Sequence, residues 1–353
     1  MNGRSRYRMM AGLTVLDTLP EGFLDCSPRD LHRLFSGPTI IELPGRRQPP
    51  LFVSVLLHGN EDSGLEAVQR VLRARAGHTL ARGLVLLIGN VAAAREGVRR
   101  LTGQPDYNRV WPGTLDHIGT PEAKAMAQAH ELMLSRPVFA AIDLHNNTGL
   151  NPHYSVVCSL DARTLHLATL FTRTAVWFAG MPGTQTASLA GKLPAIAAEC
   201  GQPGTPANAA AAARLVESAL DLGDFPDHPV RHQDLDLYHT MALVRVRPEV
   251  SMSFGGDRAE LRLDPALDHM NFRELEAGAC FGETGHPMPL DIVDEAGRNV
   301  SSDFFSTEGG ALRLRREAMP AMLTCDERIV RQDCLCYLME RVPTHALPPG
   351  AVS

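Results

Sequence analysis

The sequence predicts an α/β fold, a sheet with helices on both faces, followed by a smaller β-rich C-terminal domain. Between about residues 51 and 222, apolar runs of strand length alternate with stretches whose apolar residues recur at helical spacing. Strands alternating with helices in this way build a sheet covered on both sides. After Asp224 the pattern changes to short alternating segments with frequent Gly and Pro. A length of 353 residues suits one large α/β unit with a smaller partner. Hydrophobic residues at 44% against 21% charged exclude disordered, collagenous and coiled-coil classes.

The first 50 residues end in the turn-rich Pro44 to Pro50, and the core is expected to start after it. Leu51 to Leu57 is an apolar run broken only by Ser54 and reads as a strand, after which Leu65, Val68, Val71 and Leu72 mark a helix. Leu84 to Ile88 repeats the strand signal. Pro121 to Ser135 reads as a helix, because a first-turn proline loses no bonded N–H and Thr120 offers an N-cap oxygen. Val138 to Leu144 and Tyr154 to Ser159 are expected strands, Ala162 to Phe178 a helix, Leu193 to Ala198 a strand, and the Ala-rich Pro206 to Leu222 a helix. Asp224 to Pro229 reads as a linker, giving domains over 1–224 and 225–353. Met241 to Val246, Ala259 to Leu263, Gly278 to Phe281, Pro289 to Val293 and Ala311 to Leu314 are the expected strands beyond it.

Lys and Arg number 34 against 40 Asp and Glu, a net charge of -6, which argues against a nucleic-acid footprint or a polybasic membrane anchor. No run approaches the 18 apolar residues of a membrane span. Seven cysteines, odd in number and without a CxxC pair, suggest reduced thiols. With no secretory pattern in the opening residues, a soluble cytoplasmic protein is expected. A small-molecule partner is expected rather than nucleic acid or membrane, and a homo-oligomer is left open.

Chemistry is expected where strands run into polar clusters, because open α/β sheets bind ligands outside the carboxyl ends of their strands. The first cluster is His58-Gly59-Asn60-Glu61, which can aim an imidazole nitrogen and a carboxylate oxygen at one point. A second, Asp143-Leu144-His145-Asn146-Asn147-Thr148-Gly149, adds His145 as a third ligand. Two histidines and one carboxylate leave a tetrahedral position open, the pattern of a catalytic rather than a structural zinc. Asp143 either supports His145 from behind or braces the turn backbone. A third strand end presents Glu199, a candidate general base. In the loop from Arg99 to Gly113, Arg109 can bind a carboxylate through two parallel N–H bonds, Asn108 can add an amide donor, and Arg100 or Arg99 can stabilise an oxyanion.

HGNE at 58 to 61, YNRVWPG at 107 to 113, DLHNNTG at 143 to 149 and AECGQPG at 198 to 204 together resemble the zinc carboxypeptidase superfamily, in its succinylglutamate desuccinylase and aspartoacylase branch. The resemblance covers residues 51 to about 222 and, more weakly, the β-rich tail. It implies a mixed twisted sheet and one Zn2+ held by His58, Glu61 and His145. It further implies Glu199 as general base and acid, Arg100 near the scissile carbonyl, and Asn108, Arg109 and Asn146 as substrate-binding residues. Residues 1–224 would be the catalytic domain and 225–353 would narrow its cleft. Two positions depart from the branch. Gln185 to Lys192 offers only Lys192 where an arginine often grips an acidic substrate, and Ala311 to Met319 offers Arg313 but no tyrosine.

The expected activity is zinc-dependent hydrolysis of an amide bond, removing the acyl group of an N-acyl amino acid or related small amide that carries a carboxylate. A carboxypeptidase acting on short peptides is the alternative within hydrolases, and a non-catalytic module binding a small acidic ligand is the alternative from another class. Of the 14 histidines only His58 and His145 have an argued role. Cys200 reads as a small hydrophobe, and Cys334 and Cys336 as buried on one side of a strand.

Overall fold

Successive side chains of a strand point to opposite faces of a sheet, so a strand that is apolar at every position has to be covered on both sides. The central strands are of this kind. The computed structural model describes residues 8–10, 12–256 and 258–343. The basic opening residues Arg4 and Arg6, and residues 344–353 at the end of the expected second domain, lie outside them.

In chain order the elements are β1 (Arg8–Met10), β2 (Leu13–Leu16), β3 (Thr39–Leu43), β4 (Gly45–Val55), α1 (Ser63–Ala74), β5 (Leu80–Ile88), α2 (Val91–Glu96), α3 (Pro121–Leu134), β6 (Ala140–His145), β7 (Tyr154–Val157), α4 (Ala162–Thr169), β8 (Thr174–Trp177), α5 (Gln185–Leu189), β9 (Ala195–Glu199) and α6 (Pro206–Asp221). Beyond them come β10 (Asp236–Val246), β11 (Met252–Phe254), β12 (Leu261–Leu263), β13 (Cys280–Thr284), β14 (Leu290–Asp294), α7 (Ser301–Phe304), β15 (Phe305–Ser306), β16 (Ala311–Leu314), β17 (Met319–Ala321), α8 (Glu327–Gln332) and β18 (Cys336–Arg341). Thirteen strands form one mixed sheet in the order β1-β2-β3-β5-β4-β6-β9-β7-β8-β10-β18-β17, with β14 pairing β10. A second sheet of five strands runs β11-β12-β13-β16-β15.

The expected α/β class with a mixed sheet and a β-rich tail is the observed one. On one face Val53 and Val55 of β4, Leu86 of β5 and Ile142 of β6 pack with Val68 of α1, Leu165 of α4 and Leu215 of α6. On the other, Phe52, Leu87 and Ala141 pack with Met126 of α3 and Leu189 of α5. Each such fully buried aliphatic side chain contributes about 1.5–3 kcal/mol. Thr120 caps α3 as its sequence predicts, its hydroxyl accepting from the Ala123 N–H at 3.2 Å.

Three expectations are corrected. The turn-rich Pro44 to Pro50 is not a loop: all but Pro44 belongs to β4, and β2 and β3 also join the sheet ahead of residue 51. Gly45 permits this, because a Cβ there would stand 2.1 Å from the Arg82 carbonyl carbon. The pairing register with β5 shifts between Arg47 and Leu51, which takes the two prolines out of the ladder. The helix expected over Ala162 to Phe178 ends at Thr169, and Thr174–Trp177 is strand β8. Finally, four strands beyond residue 224, β10, β14, β17 and β18, extend the large sheet, with β10 running parallel to β8. The sheet thus carries C-terminal residues toward the polar strand ends.

Candidate active site

The neighbouring strands β4, β6 and β9 run parallel and end together. Asp143 and His145, two residues apart, share the sheet face covered by α5, and His145 pairs in register with Glu199. After β4 the chain turns through Leu56, at a φ of 56°, and Gly59 passes against the backbone of α2. A Cβ on Gly59 would lie 2.2 Å from the Ala93 carbonyl carbon, so only glycine fits directly after His58. The Asn146 side chain ties this turn to β6: its Oδ1 accepts from the Ser63 N–H, and its Nδ2 donates to Ser63 Oγ and the Gly201 carbonyl. Asn146 lines the cavity, but its amide is spent on the scaffold.

His58, Glu61 and His145 converge, each with one ligand atom within 4.8 Å of the others'. Nδ1 of His58 lies 2.7 Å from Glu61 Oε1, and Nδ1 of His145 lies 2.8 Å from Glu61 Oε2. Behind the rings, His58 Nε2 meets Asp106 Oδ1 at 3.0 Å and His145 Nε2 meets Asp143 Oδ2 at 2.7 Å. Each ring thus has a carboxylate at both nitrogens; with a cation at the shared point, each Nδ1 would offer it a lone pair while Nε2 keeps its proton for Asp106 or Asp143. This donor set could hold a divalent metal ion. Its electrostatics agree. Burial disfavours a charged His145, yet Asp143 and Glu61 more than offset this and hold it well above the ordinary imidazole range. Burial and Arg99 oppose charge on His58, but Glu61 and Asp106 raise it. Burial would raise Glu61, but the two rings bring it below the usual carboxylate range. The cluster pulls in positive charge, which a bound cation would supply.

Glu199 is buried beside this cluster. Burial pushes its carboxyl up to about 7, helped by Glu61 and Asp143 and opposed by His145 and His58. Its Oε2 accepts from Asn147 Nδ2 at 2.5 Å. Asn108 lies against the His145 ring, its Nδ2 3.2 Å from Nε2, while its Oδ1 accepts from the Gln185 N–H. Arg109 also reaches the cavity, but its Nη2 donates to Asp333 Oδ1 at 2.9 Å. These residues border a cavity of about 100 Å³.

Three sequence expectations fall elsewhere in the structure. Arg100 does not line the cavity; its guanidinium donates to the Gln104 carbonyl at 2.8 Å. Its neighbour Arg99 is the one at the cluster, with Nη1 3.7 Å from Glu61 and Nη2 3.0 Å from both Asp106 and Asp333. Lys192 donates to the Ser188 carbonyl and Arg313 to the Gly278 carbonyl, and neither lines the cavity. No residue of Ala311 to Met319 lines the cavity, whereas Tyr337 of β18 does. Asp106, Asn147 and Asp333 carried no assigned role in the sequence. Asn147 sat inside a quoted motif and Asp106 directly before one, so both could have been found there, whereas nothing local marks Asp333.

No curated protein sequence matches the chain. The fold is shared with succinylglutamate desuccinylase from Vibrio parahaemolyticus, at a TM-score of 0.59 and 14% identity over 88% of each chain. Succinylglutamate desuccinylase/aspartoacylase from Rhodobacter sphaeroides gives 0.55 and 16% over 86% of this chain and 89% of that one. Murine aminoacylase 3 gives 0.50 and 16% over 84% and 97%. Residues 47–220, which hold every proposed metal ligand and Glu199, match the model of the Succinylglutamate desuccinylase/Aspartoacylase catalytic domain and belong to that family, within the zinc carboxypeptidase-like superfamily.

Proposed function

We propose that the protein is a zinc-dependent amidohydrolase that deacylates an N-acyl amino acid or related small amide. The observation that carries the reading is the convergence of His58 Nδ1, Glu61 and His145 Nδ1, each ring braced by a carboxylate at Nε2, with Glu199 alongside. The residues fit the ion in number, type and charge balance. When bound, zinc supplies a Lewis acid that polarises the scissile carbonyl and acidifies the attacking water. Glu199, buried beside the cluster, takes the proton from that water and returns it to the leaving nitrogen. Asn147 holds Glu199 in place through Oε2. Arg99, rather than Arg100, is the cation near enough to stabilise the negative oxygen of the tetrahedral intermediate.

We treat residues 1–224 as the catalytic unit and 225–353 as the unit that shapes its cleft, because Asp333 and Tyr337 enter the cavity from beyond residue 225. No helix among the described residues is long and apolar enough to cross a membrane. The seven cysteines are all free, which supports a cytoplasmic location. The test is a panel of N-acyl amino acids, N-acyl amines and dipeptides offered to the zinc-loaded protein, with amine release measured. Release of the amine from N-acyl compounds with dipeptides left intact is expected. Cleavage of dipeptides alone would turn the assignment to a carboxypeptidase.

A further inference from the structure

Arginine pairs in clefts ordinarily wait for a ligand carboxylate, because a guanidinium fork matches its two oxygens. Here Nη2 of each is already taken by a carboxylate of the chain. Asp333 places Oδ1 2.9 Å from Arg109 Nη2 and Oδ2 3.0 Å from Arg99 Nη2. Apart from the two histidines, Arg99 and Arg109 are the only cationic side chains lining the cavity among the described residues. We propose that Asp333 is a specificity-determining residue: it supplies the carboxylate these arginines would otherwise take from a substrate, so the cavity accepts an N-acyl compound that is uncharged on both sides of the scissile amide. The proposal rests on the deacylase reading above and narrows its substrate class.

Asp333 is not built as a movable latch. It follows α8, its N–H donating to the Ile329 carbonyl at 2.9 Å and its own carbonyl accepting from Arg245 Nε at 3.2 Å. A carboxylate fixed on anchored backbone between two elements is a permanent part of the wall. The remaining lining agrees. Val156, Phe178 and Ala197 continue the apolar cluster at the ends of β7, β8 and β9, and Cys158, Met181 and Met322 complete an apolar wall beside Glu199. A carboxylate on the acyl chain would meet no free cation there and would lose its hydration without replacement.

The test compares kcat/KM of zinc-loaded protein for N-butanoyl-L-leucinamide, N-butanoyl-L-leucine and N-succinyl-L-leucinamide. The wild type is expected to favour the uncharged compound over each of the others at least tenfold. D333N is expected to shift the leucine-to-leucinamide ratio toward leucine at least tenfold by freeing Arg109, while Arg99 stays on Asp106. Turnover of either carboxylate-bearing compound within tenfold of the neutral one, or a smaller shift in D333N, overturns the proposal. If D333N does not fold, the wild-type ratios decide alone. If no compound is cleaved, the deacylase reading fails on its own. Calorimetry of L-leucinamide against L-leucine on the zinc-loaded wild type then decides the role of Asp333: tenfold tighter leucinamide supports it, and leucine bound as tightly overturns it.

Discussion

Asp143→Ala should loosen the metal without dismantling the fold. Asp143 is fully buried and its Oδ2 accepts the His145 Nε2 proton at 2.7 Å, which fixes the ring with Nδ1 toward the ligand cluster. Removing it deletes one charge-assisted hydrogen bond, worth about 1.5–3 kcal/mol, and frees the ring to turn or change tautomer. The other Asp143 contact is replaceable: Ser54 Oγ lies 2.6 Å from Asp143 Oδ1 but also 2.5 Å from Gln185 Oε1, and its single proton can go to Gln185. The loss therefore falls on His145, and the zinc dissociation constant should rise about 10- to 100-fold, the range for removing a ligand's hydrogen-bonded support. Asp143→Asn should cost less, since its amide oxygen can still accept from Nε2. Competition with a chelator of known affinity measures both variants. Zinc held by D143A within threefold of the wild type would refute the assignment of Nε2 as donor and Nδ1 as ligand atom.

Two further predictions concern stability. The folded-state pKa of Glu199 is raised from 4.5 to about 7, so the stability tied to its neutral form is fully present below about 4.5 and is lost as pH rises through about 7. At about 1.4 kcal/mol per unit the loss is about 3 kcal/mol, so metal-free E199Q should be more stable than the metal-free wild type at pH 8 and nearly equal to it at pH 5. Urea unfolding at both values checks this, and an equal gap at the two would contradict the burial argument. Separately, a Cβ on Gly149 would stand 1.9 Å from the Leu323 carbonyl oxygen, so Gly149→Ala must push the loop that carries Asn147 away from the C-terminal segment. It should cost about 1–3 kcal/mol or more and lower kcat/KM, whereas Gly285→Ala, with nothing near its Cβ, should stay within about 0.5 kcal/mol.

What could be read from the chain alone was local. His58, Glu61, His145 and Glu199 each follow an apolar strand, and parallel neighbours in the sheet bring their ends together. The direction of side chains in an irregular loop is not encoded by spacing, which is why Arg99 and Arg100 exchange places. Pro44 to Pro50 reads as a turn by composition, yet tertiary pairing with β5 and the hydrogen bond from buried Arg82 to the Pro49 carbonyl hold it extended. Thr172, Thr174 and Val176 carry a β-branched alternation that an over-long helical reading absorbed. Asp333 stands 234 residues from Arg99 and shows no period or motif, so only the folded β10-β18 pairing brings it to the cavity.

The measurement that tests the central claim most directly is zinc content and amide turnover on the same samples of wild type and Glu199→Gln. The wild type should hold one zinc per chain and release the amine from an N-acyl substrate. E199Q should hold the same zinc and lose about 10²- to 10⁴-fold in kcat, the contribution of a positioned proton-transfer group. E199Q that keeps full turnover, or a wild type that turns over with no divalent ion bound, would contradict the account.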